Sequence, residues 1–233
     1  MNIAELPSAQ AVFVHDDLEG LSVAVAQRIS ALAASAISER GVFRVALAGG
    51  ETPRRCYEKL RDQAVDWDRV HIYFGDERCL PIGDPQRNDS MALETLLHHI
   101  AIPPANVHRI SAELGAVAAA ASYVALLENI LSLDLVLLGM GDDGHTASLF
   151  PGNPAIDNTA AVVPVFNSPK PPAERVSLGL NTLNAARHKI FLVAGEGKRA
   201  AMKQISQGNR LPAARVITPE WYLDCKANQG LKD

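Results

Sequence analysis

Four short runs of Val, Ile, Leu and Phe constrain this chain more than any other feature: Arg44–Ala48, His71–Phe74, Leu133–Leu138 and Lys189–Val193. Such runs read as buried strands. Each breaks directly into a polar or glycine-rich segment: Ala48 into GGETP, Phe74 into GDER, Leu138 into GMGDDGH and Val193 into AGEGK. Helical patterns separate them. Asp16 reads as the cap of a long amphipathic helix running towards Arg40, with Gly41 as its stop. Asn88 or Asp89 starts another, reaching Ile100, and the alanine-rich stretch Glu113–Leu131 is a third. Strands alternating with helices predict βαβ units. The expected fold class is α/β, a modified Rossmann-like, doubly wound, mainly parallel sheet flanked by helices. With 233 residues and no composition break, residues 1–233 are expected to form a single α/β domain. The segment Asn167–Pro172, NSPKPP, reads as a surface loop.

In an open parallel sheet the carboxyl ends of the strands share one edge, and ligands bind there. The four polar segments are therefore expected to surround one crevice. Gly49 and Gly50 let the backbone turn sharply. Thr52 reads as a helix cap and Pro53 as a first-turn residue, so the free N–H groups there can take an anion. Alone, this is more often an ordinary strand-to-helix turn. It is neither a Walker A loop nor a GxGxxG fingerprint. In Gly75-Asp76-Glu77-Arg78, Arg78 can meet a phosphate or a developing oxyanion, although a solvated charged turn is the plainer reading.

The segment from Gly139 to Pro151, GMGDDGHTASLFP, carries the most chemistry. His145 is the best general base in the chain, because neutral imidazole takes a proton from water near neutral pH. Asp142 or Asp143 can orient its ring. Gly144 and its neighbours can aim backbone N–H groups into the crevice. Ser148 lies in ASLFP and not in a GxSxG elbow, so it reads as structural. Arg175 and Lys198 are phosphate candidates, as are Arg54 and Arg55. The remaining histidines, His98 and His99 included, carry no motif. No metal-ligand spacing occurs, and none is expected to be used.

Composition narrows the partners. The net charge of −4 argues against a general nucleic-acid binder. It leaves room for an anionic substrate in a local cationic pocket. Three widely spaced cysteines, Cys56, Cys79 and Cys225, suit a reducing cytoplasm better than a disulfide framework. The start of the chain does not read as a signal peptide, and no apolar stretch is expected to approach the ~20 residues of a membrane span.

The ordered set AGGETP, YFGDERCLP followed by RND, DLVLLGMGDDGHTASLFPG, PPAERVSLGL and AGEGK resembles the 6-phosphogluconolactonase family, from about residue 10 to 225. Its fold is similar to that of glucosamine-6-phosphate deaminase. The resemblance implies hydrolysis of a phosphorylated sugar lactone in the pentose phosphate pathway, with no cofactor. It implies His145 as the catalytic histidine, Asp143 as its supporting aspartate and Arg78 as the third catalytic group. Substrate and phosphate would be held by Gly49, Gly50, Thr52, Asp76, Gly144, Arg175 and Lys198. The expected partner is a small molecule, with a monomer favoured. Two departures from the family pattern stand out: Ala48 and Glu51 replace the serines that often flank the double glycine, and Arg87-Asn88-Asp89-Ser90 replaces a DSN block. An amino-sugar-phosphate deaminase or isomerase on the same scaffold, or a non-catalytic sugar-phosphate sensor, are the alternatives.

Overall fold

The computed structural model describes Leu6 and residues 9–128, 130 and 132–231. Six strands form one parallel sheet: β1 (Ala11–His15), β2 (Phe43–Leu47), β3 (Val70–Phe74), β5 (Leu135–Gly139), β8 (His188–Val193) and β9 (Glu220–Asp224), in the order β1-β9-β8-β5-β2-β3. The four predicted strands are the neighbours β8, β5, β2 and β3, which run from the middle of the sheet to its β3 edge. Their residues are almost wholly buried, as strands covered on both faces must be. The edge strand β1 and the strand β9 were not expected from the sequence. Among the described residues seven α-helices connect and flank the strands: α1 (Leu18–Arg40), α2 (Glu51–Leu60), α3 (Asn88–Thr95), α4 (Ala116–Leu127), α5 (Leu180–Ala185), α6 (Arg199–Ser206) and α7 (Cys225–Asn228).

Helix α1 buries one stripe, Leu21, Val25, Ile29, Leu32 and Ala36, at the spacing of one helical face. Its cap is Asp17, not the expected Asp16: the Asp17 carboxylate accepts from Gly20 N–H at 2.8 Å. Gly41 stops it at φ 75°, a left-handed turn that glycine makes cheaply. By length and composition alone α1 is apolar enough to cross a membrane, against the sequence expectation. Its alanines and valines raise the hydropathy, yet its large side chains are committed to the core. The predicted helix Glu113–Leu131 is shorter than expected. Gly115, at φ 86°, separates a 3₁₀ turn at Ala112–Leu114 from α4, and Leu131 lies outside the described residues. The helix expected from Asn88 to Ile100 ends at Thr95 and continues as a 3₁₀ turn over Leu97–His99.

A second sheet was not anticipated. Strands β4 (Asp76–Arg78), β7 (Arg175–Leu178) and β6 (Val162–Val165) pair antiparallel in that order. The GDER segment is thus a strand rather than a turn. Its register sets Asp76 opposite Ser177 and Arg78 opposite Arg175. Two backbone bonds join it to the main sheet, Gly75 N–H to Leu47 O at 2.9 Å and Leu178 N–H to Gly75 O at 2.8 Å. The strand order of the main sheet reverses between β2 and β5, so the crevice beyond their carboxyl ends is the topological switch point.

Candidate active site

Strands β2 and β5 leave the sheet side by side and both turn on glycine. The turn after β5 is closed by Gly141 N–H to His145 O at 2.8 Å and by Gly144 N–H to Gly141 O at 3.1 Å. A Cβ on Gly141 would stand 2.0 Å from His145 Nδ1, so only glycine leaves room for the ring. Asp143 Oδ1 accepts from the His145 backbone N–H at 3.1 Å and lies 2.5 Å from Nδ1. A carboxylate only accepts, so Nδ1 carries the proton and the neutral ring has its lone pair on Nε2. Burial pushes the imidazole below its ordinary pKa, while the Asp143 hydrogen bond and charge oppose that shift. For Asp143, burial works upward, but the His145 backbone and ring donors hold the carboxyl below the usual range. Asp142 plays no part in orienting the ring; it is exposed and pairs with the Lys170 ammonium.

His145 lines a cavity of ≈ 210 Å³ whose walls carry four cations: Arg78, Lys170, Arg175 and Lys198. The cross-strand register of β4 and β7 explains why two of them converge. Arg175 is buried, and its Nη2 donates to the carbonyls of Lys170 and Pro171 at 3.0 and 2.9 Å. Its guanidinium lies 5.4 Å from the centroid of Phe150, which in turn packs 4.4 Å from the His145 ring. Arg78 donates through Nη1 to Gln86 O. Burial lowers the pKa of both Lys198 and Arg175. Asp76 and Asn88 line the same cavity. Asp76 Oδ2 accepts from Ser148 Oγ at 2.6 Å, and Asn88 Nδ2 donates to Asp76 Oδ1 at 3.0 Å.

A wider space of ≈ 550 Å³ adjoins this cavity and shares Gly49, Gly50 and Lys198 with it. Thr52 lines that wider space and not the wall beside His145. It also does not cap α2: Gly50 holds the cap position at φ 104°, and Thr52 sits inside the first turn. The first-turn N–H groups have no intrahelical partners and face a favourable dipole for an anion. Glu51 is exposed and pairs with Arg54 at 3.6 Å and Arg55 at 3.0 Å, which answers its negative charge at this helix start. Arg54 and Arg55 are further engaged with Glu94 and Glu58, and neither lines either cavity.

Residues 16–222 match the family described as glucosamine-6-phosphate isomerases/6-phosphogluconolactonase. The chain belongs to this family. It is 39% identical over 244 residues to the 6-phosphogluconolactonase of Streptomyces coelicolor, covering 94% of this chain and 93% of that one. It is 36% identical over 231 residues to the Synechocystis enzyme of the same name, covering 92% and 94%. The crystal structure of 6-phosphogluconolactonase from Thermotoga maritima superposes with a TM-score of 0.86 at 30% identity, over 92% of this chain and 99% of that one. A monomeric glucosamine-6-phosphate deaminase, 22% identical with a TM-score of 0.79 over 94% and 99% of the two chains, shares the fold.

Within this glucosamine-6-phosphate isomerase/6-phosphogluconolactonase fold, His145, Arg78, Asp76, Arg175, Lys198 and the double glycine come together around one cavity. Gly144 does not line it. Its N–H is spent on Gly141 and its carbonyl on Ala213 N–H, so it contributes a left-handed turn at φ 78° and no anion donor. Three residues of the site escape sequence reasoning. Ser148, read as structural, braces Asp76. Lys170 comes from the loop Asn167–Pro172, which therefore borders the cavity instead of being mere surface. Asn88 stands at the start of α3, where only the departure of Arg87-Asn88-Asp89-Ser90 from the family block hints at a role. Among the described residues no group of three or more His, Cys, Asp or Glu side chains is placed to hold a metal ion.

Proposed function

We propose that this chain hydrolyses 6-phospho-D-glucono-1,5-lactone to 6-phospho-D-gluconate, the second step of the oxidative pentose phosphate pathway. The observation that carries this reading is the Asp143–His145 pair: it leaves Nε2 as a free base on the wall of a cavity otherwise rich in cations. The names and identities of the lactonase relatives support it.

His145 Nε2 takes a proton from water as the water oxygen attacks the lactone carbon. Asp143 fixes the tautomer and stabilises the imidazolium that forms. Arg78 stands ready for the oxyanion of the tetrahedral intermediate. As the carbon–ring-oxygen bond breaks, the imidazolium returns its proton to the departing oxygen. Arg175, Lys198 and the amides of the Gly49–Thr52 turn hold the phosphate, which fixes the ring relative to the base. No step in this sequence uses a metal or an organic cofactor. We further assign the work to a single domain acting as a monomer in a reducing cytoplasm, a setting consistent with three free cysteines.

The test is acid release from phosphorylated and unphosphorylated gluconolactone side by side, with ammonia release from glucosamine 6-phosphate as a control. The phosphorylated lactone is expected to be preferred. Lys198→Ala is expected to raise KM about ten- to hundredfold, the value of a charge-assisted contact, with kcat nearly unchanged. Ammonia release, or equal turnover of both lactones, overturns the assignment.

A further inference from the structure

Asn88 is 2% exposed, yet its Oδ1 has no hydrogen-bond partner. Its orientation is fixed by chemistry. Nδ2 donates to Asp76 O at 2.9 Å and to Asp76 Oδ1 at 3.0 Å. Both are acceptors, so a flipped amide would set oxygen against oxygen. The backbone is fixed too: Asn88 N–H donates to Glu77 Oε1 at 2.7 Å and Asp89 N–H to Glu77 Oε2 at 2.8 Å. The amide oxygen therefore cannot turn to find a donor. It lies against Gly49, where an added Cβ would come within 1.9 Å of it, and Asn88 lines the same cavity as His145.

A buried acceptor without a donor is costly, and such atoms call for an explanation. Its neighbour on the wall, Asp76, offers only further acceptor oxygen to the cavity. A phosphate is repelled by these acceptor oxygens and drawn to the cations that line the same cavity. A neutral donor suits it, and the donors a sugar lactone offers are its ring hydroxyls.

Resting on the lactonase reading above, we infer that Asn88 is a substrate-binding residue whose Oδ1 accepts a hydrogen bond from one ring hydroxyl of the sugar phosphate. The Asp76–Asn88 wall then reads the polyol face while the cations read the phosphate. A site built to pair a hydroxyl discriminates strongly against the analogue that lacks it. Gly49 is required here for a second reason besides its turn: a side chain would displace this acceptor.

The experiment compares wild type and Asn88→Ala on the native phospholactone and on its 2-, 3- and 4-deoxy counterparts. Asn88→Ala is expected to lose about ten- to hundredfold in kcat/KM on the native substrate. For one deoxy lactone the wild type is expected to lose a similar factor and Asn88→Ala to lose nothing more, closing the cycle. An equal Asn88→Ala penalty on all four lactones makes the residue a mere brace for Asp76 and overturns the inference. So does a wild type that loses less than about tenfold on every deoxy lactone, a result that needs no variant to fold. Calorimetric binding of 1,5-anhydroglucitol 6-phosphate and its deoxy analogues, which cannot be hydrolysed, separates the two readings. If the wild type turns over no lactone but one deoxy analogue binds wild type and Asn88→Ala equally, the reaction is wrong and the acceptor stands.

Discussion

Asp76 and Glu77 are neighbours in one three-residue strand, and they live in opposite environments. Side chains alternate along a strand, so β4 sends Asp76 and Arg78 to one side and Glu77 to the other. On the Glu77 side the charges are saturated. Its two oxygens accept from the N–H groups of Arg78, Asn88 and Asp89 at 2.9, 2.7 and 2.8 Å. The buried Arg87 guanidinium makes paired bonds of 2.9 Å to Asp89, one of 3.0 Å to Glu113, and reaches the carbonyls of Leu80 and Ile110. On the Asp76 side, Asn88 Oδ1 and Arg78 Nε are buried without partners. Burial alone therefore does not separate structural from functional charges. What separates them is whether any hydrogen-bonding capacity is left over.

Removing one group from each side of β4 tells the two environments apart. His145→Ala is expected to lower kcat by about 10²–10⁴, the worth of a general acid–base group, with little change in unfolding free energy. Glu77→Ala is expected to do the reverse. It strands the N–H groups of Arg78, Asn88 and Asp89, and a buried donor left unsatisfied costs about 1–3 kcal/mol, read as a lower urea midpoint. If the fully bonded Glu77 proves dispensable for stability, the distinction fails. A smaller effect concerns pH. Only neutral His145 can act as the base, so kcat/KM falls as pH drops through its pKa. Burial places that limb below the ordinary imidazole value of about 6.5. Asp143 opposes the shift, so Asp143→Asn is expected to move the limb lower still, which a pH–rate profile of both proteins checks.

Strands β2, β3, β5 and β8 were legible because each is a run of apolar residues in a buried position. Strand β9 was not, because it opens with Glu220 and ends with Asp224, charges that a parser of apolar runs rejects. In the fold they are buried and paired: Glu220 takes Arg28 at 2.6 Å, and Asp224 takes the N–H groups of Gly195 and Ala227. The small antiparallel sheet was hidden for the same reason, since DER has no strand signature of its own and acquires one only by pairing with β7. Within the candidate site, local spacing singled out His145 but left Asp142 and Asp143 open as its partner, and Asp143 followed only from the family resemblance. Lys170 and Asn88 were not legible, because their proximity to the base depends on a loop and a helix that come together only in three dimensions. Gly144 was misread for a subtler reason. A glycine in a turn can either present its N–H or spend it within the turn, and sequence does not distinguish these.

The register of the small sheet has a thermodynamic consequence. Arg78 and Arg175 stand directly opposite one another, and like charges in that position destabilise a strand pair. Anion binding to the proposed site is expected to offset that repulsion. Inorganic phosphate or sulfate is then expected to stabilise through mass action, by about 2.7 kcal/mol at a hundred times its dissociation constant. The melting temperature of the enzyme accordingly reports the buffer anion as well as the chain.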